Sequence, residues 1–257
     1  MTPVLRFERR DHVALLTIDR PERLNAIGSD TVAQLHQHLD VIEADADLRA
    51  IVITGEGRAF SAGADISELD TLQHGADFGR FVKGLTDAYD RLEASPVPSI
   101  AAINGMAFGG GCELALACDL RLAAPGARLG VPEIKLGLLP AAGGSQRLTR
   151  LLPAAVTTHM LMTGAPLDVT TALQFGLINA VHDDVVTAAL ELGTTLAAGP
   201  PLALAAAKRL VQEGGELPFA AAIDLEREVV SALFDTADRA EGLTAFREKR
   251  APRFHGR

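Results

Sequence analysis

Apolar, β-branched runs recur through the first two-thirds of the chain, and each is followed by a turn and then by a helical pattern. VALLTI leads to DRPERLNAI, RAIVITG to EGRAFSAGADISEL, and PSIAAING to MAFGGGCELALA. Runs of this kind are typical of buried strands, and here they recur at intervals of roughly 35 to 50 residues. The pattern therefore predicts stacked ββα turns instead of one alternating βαβ sheet.

Two segments between these runs have the periodicity of amphipathic helices. DTVAQLHQHLDVIEADADL has Asp30 as its expected N-cap, and FVKGLTDAYDRLEAS ends at the prolines that follow it. From about Val185 onward the pattern is almost wholly helical. The sequence predicts a spiral α/β core over residues 1–195 and a helical C-terminal region over residues 196–257.

Composition and charge exclude several classes of protein. The net charge is -9 and the basic residues are scattered, so no basic surface for nucleic acid or an anionic membrane is expected. Cys112 and Cys118 are too few for a disulfide framework and lack a C-x-x-C spacing, so we interpret them as buried packing residues. No apolar run suits a signal peptide or a membrane span. We expect a cytoplasmic location.

Three consecutive glycines at residues 109–111 stand directly before a helical pattern in AFGGGCELALACDL. A helix that begins at Gly110 or Gly111 leaves unpaired N–H groups in its first turn, and a ligand oxygen can approach them where no Cβ intrudes. Close packing of the helix against a strand is the alternative explanation. The segment does not match a phosphate-binding P-loop, which requires G-x-x-x-x-G-K-[ST].

A second stretch, FSAGADISEL, offers another backbone donor. Asp65 and Glu68 have the spacing of a capping box, which predicts a helix start at Asp65 and an exposed amide at Ala64. Two such amides that converge from separate loops form an oxyanion hole, which stabilises charge developing on a carbonyl oxygen. The convergence itself is a hypothesis at the level of sequence.

Two carboxylates supply what the amides lack. Glu113 lies in the first turn of the glycine-rich helix, and Glu133 follows Pro132 at a predicted turn. Each also has an ordinary explanation, since Glu113 would complement the helix dipole and Glu133 would be a solvated surface residue. Their predominantly apolar surroundings favour raised pKa values, which suit acid–base chemistry.

Four motifs in this order resemble the enoyl-CoA hydratase/isomerase family, also called the crotonase superfamily: AFSAGADI, NGMAFGGGCELALACDLRLAA, LGVPEIKLGLLPAAGGSQRL and TADRAEGLTAFREKR. The resemblance covers nearly the whole chain. It implies a crotonase-like spiral of stacked ββα turns and a helical C-terminal trimerisation region. A homotrimer or a dimer of trimers is the expected assembly.

The resemblance also implies roles for individual residues. Ala64 and Gly110 match the two oxyanion amides, and Glu113 and Glu133 match the paired acid–base glutamates of the hydratases. Further contacts with the CoA part of the substrate are implied for Ala62, Asp65, Ile66 and Lys249. Ser67 stands where hydratases often have a lysine that contacts a CoA phosphate. A lower affinity for CoA is therefore expected, unless another basic residue replaces that lysine.

The reaction implied is syn hydration of a 2-trans-enoyl-CoA, a lyase step of the kind used in fatty acid β-oxidation. We assign Glu113 to activating the water and Glu133 to supplying the proton at C2, and an exchange of these roles stays open because two nearby carboxyls titrate as a pair. No metal or redox cofactor is expected, and CoA is part of the substrate. The alternatives are an enoyl-CoA isomerase, another crotonase-family acyl-CoA enzyme and, as the weakest, a non-catalytic acyl-CoA binder.

Overall fold

The computed structural model describes residues 3–257, which form two sheets surrounded by helices. The strands are β1 (Leu5–Arg10), β2 (Val13–Ile18), β3 (Ala50–Gly55), β4 (Ala59–Ser61), β5 (Ser99–Ile103), β6 (Met106–Phe108), β7 (Leu120–Ala123), β8 (Arg128–Gly130), β9 (Leu167–Asp168) and β10 (Ala180–Val181). The helices are α1 (Ser29–Ala44), α2 (Ile66–Leu69), α3 (Gly75–Ala94), α4 (Gly110–Ala117), α5 (Gly144–Leu151), α6 (Ala154–Thr163), α7 (Val169–Gln174), α8 (Val185–Ala197), α9 (Pro201–Gly214), α10 (Phe219–Phe234) and α11 (Ala237–Glu248). Two 3-10 helices span Pro21–Arg23 and Pro132–Leu136.

The chain alternates between the two sheets. The larger sheet has the order β1-β2-β3-β5-β7-β10, and the smaller has the order β4-β6-β8-β9. Consecutive strand pairs β3/β4, β5/β6 and β7/β8 each give one strand to each sheet, and neighbouring turns of the spiral pair in parallel. The stacked ββα turns predicted from the apolar runs are thereby confirmed.

The larger sheet is buried on both faces, which explains why β2 and β3 are apolar at almost every position. Along β2, Ala14 and Leu16 face the main core, whereas Val13 and Leu15 face a second cluster that includes Val185 of α8. This division follows the two-residue period of a strand. The helix α8 therefore belongs with the core, and the predicted boundary after residue 195 falls inside it.

Two predicted details of helix capping are wrong. Asp30 is not the N-cap of α1, because that helix begins at Ser29 after an N-cap at Gly28. Glu68 does not complete a capping box with Asp65 but accepts hydrogen bonds from the backbone N–H (3.0 Å) and hydroxyl (2.7 Å) of Ser29. A carboxylate of α2 thus caps α1 across the fold, because Gly28 has no side chain to do so.

The C-terminal helices lie on the core through a few polar contacts. Lys208 of α9 forms an ion pair with Asp119 at 2.9 Å, and the Gln212 side-chain amide donates to the Glu93 carbonyl oxygen at 2.8 Å. A groove of about 1390 Å³ remains between α9 and the core. Several large apolar side chains of α9–α11 stay exposed, namely Val211, Phe219, Val230, Phe234 and Phe246.

No helix within residues 3–257 combines the length and the apolar character that crossing a bilayer requires.

Candidate active site

Glycine occupies positions 109–111 at the start of α4 for different structural reasons. Gly109 has φ 49° and ψ -126°, a conformation that favours glycine, and a Cβ atom there would lie 2.9 Å from Oε1 of Glu133. At Gly111 a Cβ atom would lie 2.5 Å from Cβ of Ser61, so this position packs tightly against β4. Gly110 has room, since the nearest atom to its Cβ position is the Ala64 amide nitrogen at 3.5 Å. Close packing thus explains Gly111, whereas Gly109 and Gly110 adjoin the site.

Two loops meet at the start of α4. The loop before α2 contacts the glycine turn so closely that a Cβ atom on Gly63 would lie 2.9 Å from the Phe108 carbonyl oxygen. The backbone amides of Ala64 and Gly110 donate to no acceptor within residues 3–257. Neighbouring amides on either side are paired, because Gly109 N–H donates to Gly130 and Asp65 N–H donates to Ile27. Two adjacent free amides are suited to receive one oxygen atom of a ligand.

Glu113 is held in one orientation. The glutamate lies on α4, where every residue is buried, and it is only 3% exposed. Its Oε1 accepts hydrogen bonds from the backbone N–H groups of Ala142 and Gly144, both at 2.8 Å. Burial raises the pKa of Glu113, and the two amides oppose this effect.

Glu133 has a different environment. It lies on the 3-10 helix that starts at Pro132, and its Oε2 is buried with no hydrogen-bond partner among the described residues. Burial, with a smaller contribution from the charge of Glu113, raises the pKa of Glu133 to about 7. A carboxyl of this kind carries a proton at neutral pH in a large share of the molecules. Glu113 is therefore buried and Glu133 is half-buried, so neither predicted acid–base residue is fully solvated.

Two residues near Glu113 were not found by sequence analysis. Arg147 of α5 donates to the Ala142 carbonyl oxygen at 3.0 Å and pairs with Asp90 and Glu93, so it braces the loop whose amides hold Glu113. Tyr89 of α3 is 1% exposed and donates its hydroxyl to the Gly110 carbonyl oxygen at 3.0 Å. The pattern of apolar positions along α3 could have predicted that Tyr89 is buried, but not that its hydroxyl bonds the Gly110 carbonyl.

The segment predicted to contact CoA lies beside the free amides. Ile66 is 58% exposed, whereas the carboxylate of Asp65 is buried and receives hydrogen bonds from Arg20 at 2.6 Å and from the Ser67 hydroxyl at 2.6 Å. Burial would raise the pKa of Asp65, but the hydrogen bonds from Ser67 and Arg20 outweigh it and lower the pKa to about 2. Asp65 is thus an internal anion, and its side chain and its backbone N–H are both paired within the fold.

A basic group does lie next to Ser67. Arg23, an exposed residue, donates to the Ser67 hydroxyl at 2.8 Å. Within residues 3–257 the side chain of Lys249 makes no hydrogen bond or ion pair, so no contact links it to Ser67. Lys249 ends α11 with φ 55° and is exposed. Its predicted contact with CoA, like that of Ala62, stays a prediction.

The cysteines are buried, as predicted, and burial raises the pKa of Cys118 to about 12. Within residues 3–257 no three His, Cys, Asp or Glu side chains cluster so that they could hold a metal ion.

Comparison with known proteins gives a consistent result. The sequence model of the family described as Enoyl-CoA hydratase/isomerase matches residues 8–257. A probable enoyl-CoA hydratase of Mycobacterium bovis is 40% identical over 249 residues, which is 96% of each chain. The 2,3-dehydroadipyl-CoA hydratase of Escherichia coli is 39% identical over 251 residues, which is 97% of each chain.

The fold comparison agrees. The crystal structure of an enoyl-CoA hydratase from Bacillus anthracis superposes with a TM-score of 0.95 at 32% sequence identity, covering 99% of this chain and 100% of that one. Agreement over the full length includes both sheets and the C-terminal helices, so the predicted crotonase-like α/β fold is confirmed.

Proposed function

The chain belongs to the enoyl-CoA hydratase/isomerase family, and from that premise we propose that it hydrates a 2-trans-enoyl-CoA to a 3-hydroxyacyl-CoA by syn addition of water. It is an enzyme of this family, and acyl-CoA thioesters are its class of substrate. Relatives of high coverage are named as hydratases, which supports the reaction type.

One observation carries the proposal. Glu133 Oε1 lies against Gly109, whose neighbour Gly110 presents a free amide next to the free amide of Ala64. A proton donor therefore adjoins the place where a thioester oxygen would be bound. Hydration of an enoyl thioester needs both an oxyanion hole and a proton donor. Negative charge moves to the carbonyl oxygen as water attacks C3, and a proton is then taken up at C2.

The proposed chemistry follows from the two carboxyl environments. Amides of Ala64 and Gly110 bind the thioester oxygen, which makes C3 electrophilic. The ionised Glu113 accepts a proton from the water molecule while the water oxygen bonds to C3. The protonated Glu133 gives its proton to C2. Glu133 has the unpartnered oxygen and the pKa of about 7, so it is the better proton donor. No metal or redox cofactor takes part in this proposal.

An isomerase that shifts a 3-enoyl double bond is the second candidate. Such a reaction moves one proton and needs chiefly the group at Glu133. The fixed orientation of Glu113 by two amides supports the hydratase instead, because that second carboxylate has a task only when water is added. A non-catalytic binder would not require either carboxyl.

Assembly and location stay predictions. Exposed apolar side chains on α10 and α11, including Phe219, Phe234 and Phe246, support a trimer or a dimer of trimers. A cytoplasmic location likewise stays a prediction.

The decisive experiment is a hydration assay with crotonyl-CoA and with longer, branched and aromatic enoyl-CoA esters, followed by loss of the conjugated absorbance. We expect turnover of at least one ester. Conversion of 3-enoyl-CoA esters without hydration of any 2-enoyl ester would favour the isomerase, and activity on neither class would contradict both.

A substitution at Gly110 sharpens this assay. In Gly110→Ala the new methyl group fits the fold but lies 3.5 Å from the Ala64 amide, where it would obstruct a bound oxygen. We expect a folded protein with turnover reduced about 10²-fold or more, the scale of losing an oxyanion donor. Full activity in Gly110→Ala would show that the amides have no such role.

A further inference from the structure

We propose that Arg20 is a positioning residue for the oxyanion hole, whose guanidinium fixes the free N–H of Ala64 through two peptide groups in series. The proposal rests on the hydration function proposed above. Arg20 lies in the turn after β2, which contributes no other group to the chemistry, and its side chain is 16% exposed.

The two free amides are held in different ways. The N–H of Gly110 belongs to the peptide whose carbonyl oxygen is that of Gly109, and this oxygen accepts from Glu113 N–H at 2.9 Å at the start of α4. Ala64 precedes α2, so no helix holds it. Its N–H belongs to the Gly63–Ala64 peptide, and Gly63, with φ 110°, has no side chain that restricts the backbone. The direction of the Ala64 N–H is therefore set by the partner of the Gly63 carbonyl oxygen.

That partner is the backbone N–H of Ile27, which donates to the Gly63 carbonyl oxygen at 2.8 Å. The N–H of Ile27 belongs to the Ala26–Ile27 peptide, and the carbonyl oxygen of that peptide accepts from Nη1 of Arg20 at 2.8 Å. In a trans peptide the C=O and N–H groups point in opposite directions. The hydrogen bonds therefore run one way, from the Arg20 guanidinium through two peptide groups to the N–H of Ala64.

Such a series of hydrogen bonds has two effects on its last N–H group. It fixes the direction of that group, because each peptide plane is held at its carbonyl oxygen by the donor before it. It also strengthens the donor, because hydrogen bonds in series polarise one another and the first donor carries a positive charge. Both effects stabilise negative charge on a bound thioester oxygen, since the contribution of an oxyanion hole depends on preorganised donors.

The turn at the start of the series is anchored to the core. Arg20 N–H donates to Oδ1 of Asn25 at 3.0 Å, and Asn25 is fully buried with φ 58°. Asparagine adopts this left-handed conformation more readily than most residues. Its Nδ2 donates to the carbonyl oxygens of Glu56 at 2.9 Å and Ala59 at 2.7 Å. The turn that carries Arg20 and the Ala26 carbonyl is thus fixed to the start of β4.

Neutralising Asp65 is the ordinary explanation for an arginine at this place. It accounts for Nη2 of Arg20, which donates to Asp65 Oδ2 at 2.6 Å, but not for Nη1. Asp65 also accepts from the Ser67 N–H at 3.0 Å, the Ser67 hydroxyl at 2.6 Å and Arg23 at 3.3 Å, so it keeps donors when the guanidinium is removed. A lysine would supply the charge, whereas a guanidinium also supplies a separate donor for the Ala26 carbonyl.

The test compares Arg20→Met with Arg91→Met. Arg91 is a matched control, because its guanidinium also donates to a backbone carbonyl, that of His36 at 3.1 Å, and to a carboxylate, that of Glu43 at 2.7 Å. Each variant loses both kinds of bond, so each should lower Tm. Only Arg20→Met should lower kcat for crotonyl-CoA, by about tenfold, with KM within about twofold.

A spectroscopic measurement separates positioning from a general structural effect. Infrared spectra of butyryl-CoA labelled with ¹³C at the thioester carbonyl report how strongly the bound carbonyl is polarised. Butyryl-CoA has no double bond to hydrate, so the measurement does not depend on turnover. Binding to the wild type should lower the stretching frequency, and this shift should be smaller in Arg20→Met and unchanged in Arg91→Met.

Arg20→Lys keeps the test informative if Arg20→Met does not fold. The lysine retains a cation beside Asp65 but has one nitrogen in place of two, so the Ala26 carbonyl loses its separate donor. We expect a folded protein whose carbonyl shift is smaller than that of the wild type.

Two results would overturn the assignment. One is a wild-type carbonyl shift and a wild-type kcat in every Arg20 variant that folds. The other is an equal loss of both in Arg91→Met, which would make the effect structural.

The two proposals can also fail separately. A wild type that shifts the butyryl-CoA carbonyl, with smaller shifts in the Arg20 variants, but hydrates no enoyl-CoA would refute the proposed function and support the role of Arg20. An active wild type with unaffected Arg20 variants would overturn the role of Arg20 alone.

Discussion

The two carboxylates of the candidate site come from regions that differ in nearly every physical respect. Glu113 lies on a fully buried helix, with Oε1 bound to two backbone amides and Arg147 behind the loop that supplies them. Glu133 lies on a short 3-10 helix whose next residues, Ile134, Lys135 and Leu136, are exposed, and one of its oxygens has no partner.

The comparison shows how one fold gives two identical side chains different environments. Burial raises the pKa of Glu113, whereas the two backbone amides favour its charged form and hold it in one orientation. The Glu133 region takes the carboxyl partly out of water, and the opposing hydrogen bond comes from the backbone N–H of Glu133 itself, so burial outweighs it and the protonated form is favoured. In the proposed mechanism, environment and not residue type separates the base from the acid.

The largest expected effect comes from neutralising either carboxylate. Glu113→Gln and Glu133→Gln keep the side-chain volume but cannot ionise, so each should lower kcat for hydration by about 10²- to 10⁴-fold. The double variant should lose less than the product of the two, because both groups act in the same proposed addition of one water molecule. Steady-state rates on crotonyl-CoA measure this.

An exposed glutamate is the control for this pair. Glu22→Gln, on the first 3-10 helix, should keep wild-type rates. An isomerase would tolerate Glu113→Gln on 3-enoyl substrates and not Glu133→Gln. Near wild-type hydration by both folded single variants would contradict the assignment of these residues.

A smaller effect is expected from the support behind Glu113. Arg147→Met removes the hydrogen bond to the Ala142 carbonyl and two ion pairs. Because this frees the loop that holds Glu113, we expect kcat to fall about tenfold and the free energy of unfolding to fall by about 1 to 3 kcal/mol. Activity assays and denaturant unfolding measure the two effects.

Arg150→Met tests whether any arginine of α5 would do the same. Arg150 is exposed and its ion pair with Glu216 is screened by water, so its loss should leave both the free energy of unfolding and kcat nearly unchanged. Equal effects from the two variants would remove the special role given to Arg147.

The smallest effect concerns stability and pH at Glu133. Its pKa rises from 4.5 in the unfolded chain to about 7 in the folded one, so between these values the folded state binds more protons and stability falls as pH rises. The contribution of Glu133 is fully present below pH 4.5 and lost above pH 7. Glu133→Gln should therefore be more stable than wild type at pH 8 by about 1 to 3 kcal/mol, with the difference vanishing near pH 4.

Denaturant unfolding at several pH values between 4 and 8 measures this difference. Glu22→Gln should follow the wild-type pH dependence throughout. A constant difference between Glu133→Gln and wild type across this range would show that Glu133 does not titrate as described.

Parts of the fold and site could be predicted because they depend on local pattern. Buried strands such as β2 and β3 are apolar along their whole length, and the glycine run before α4 marks a place where the backbone is approached closely. Helix starts were less predictable. Glu68 caps α1 from α2, a contact between residues far apart in sequence that no local capping rule contains.

The sequence by itself determined the spiral of strands and helices, the family and the identity of the two glutamates, because these depend on residue periodicity and on motifs that are contiguous in the chain. Only the tertiary structure decided the environment of each glutamate. Whether a carboxylate meets two amides, as Glu113 does, or none, as the Oε2 of Glu133 does, depends on segments brought together from distant parts of the chain. The pKa of a buried group follows from those neighbours, so it cannot be read from the residue or its adjacent sequence.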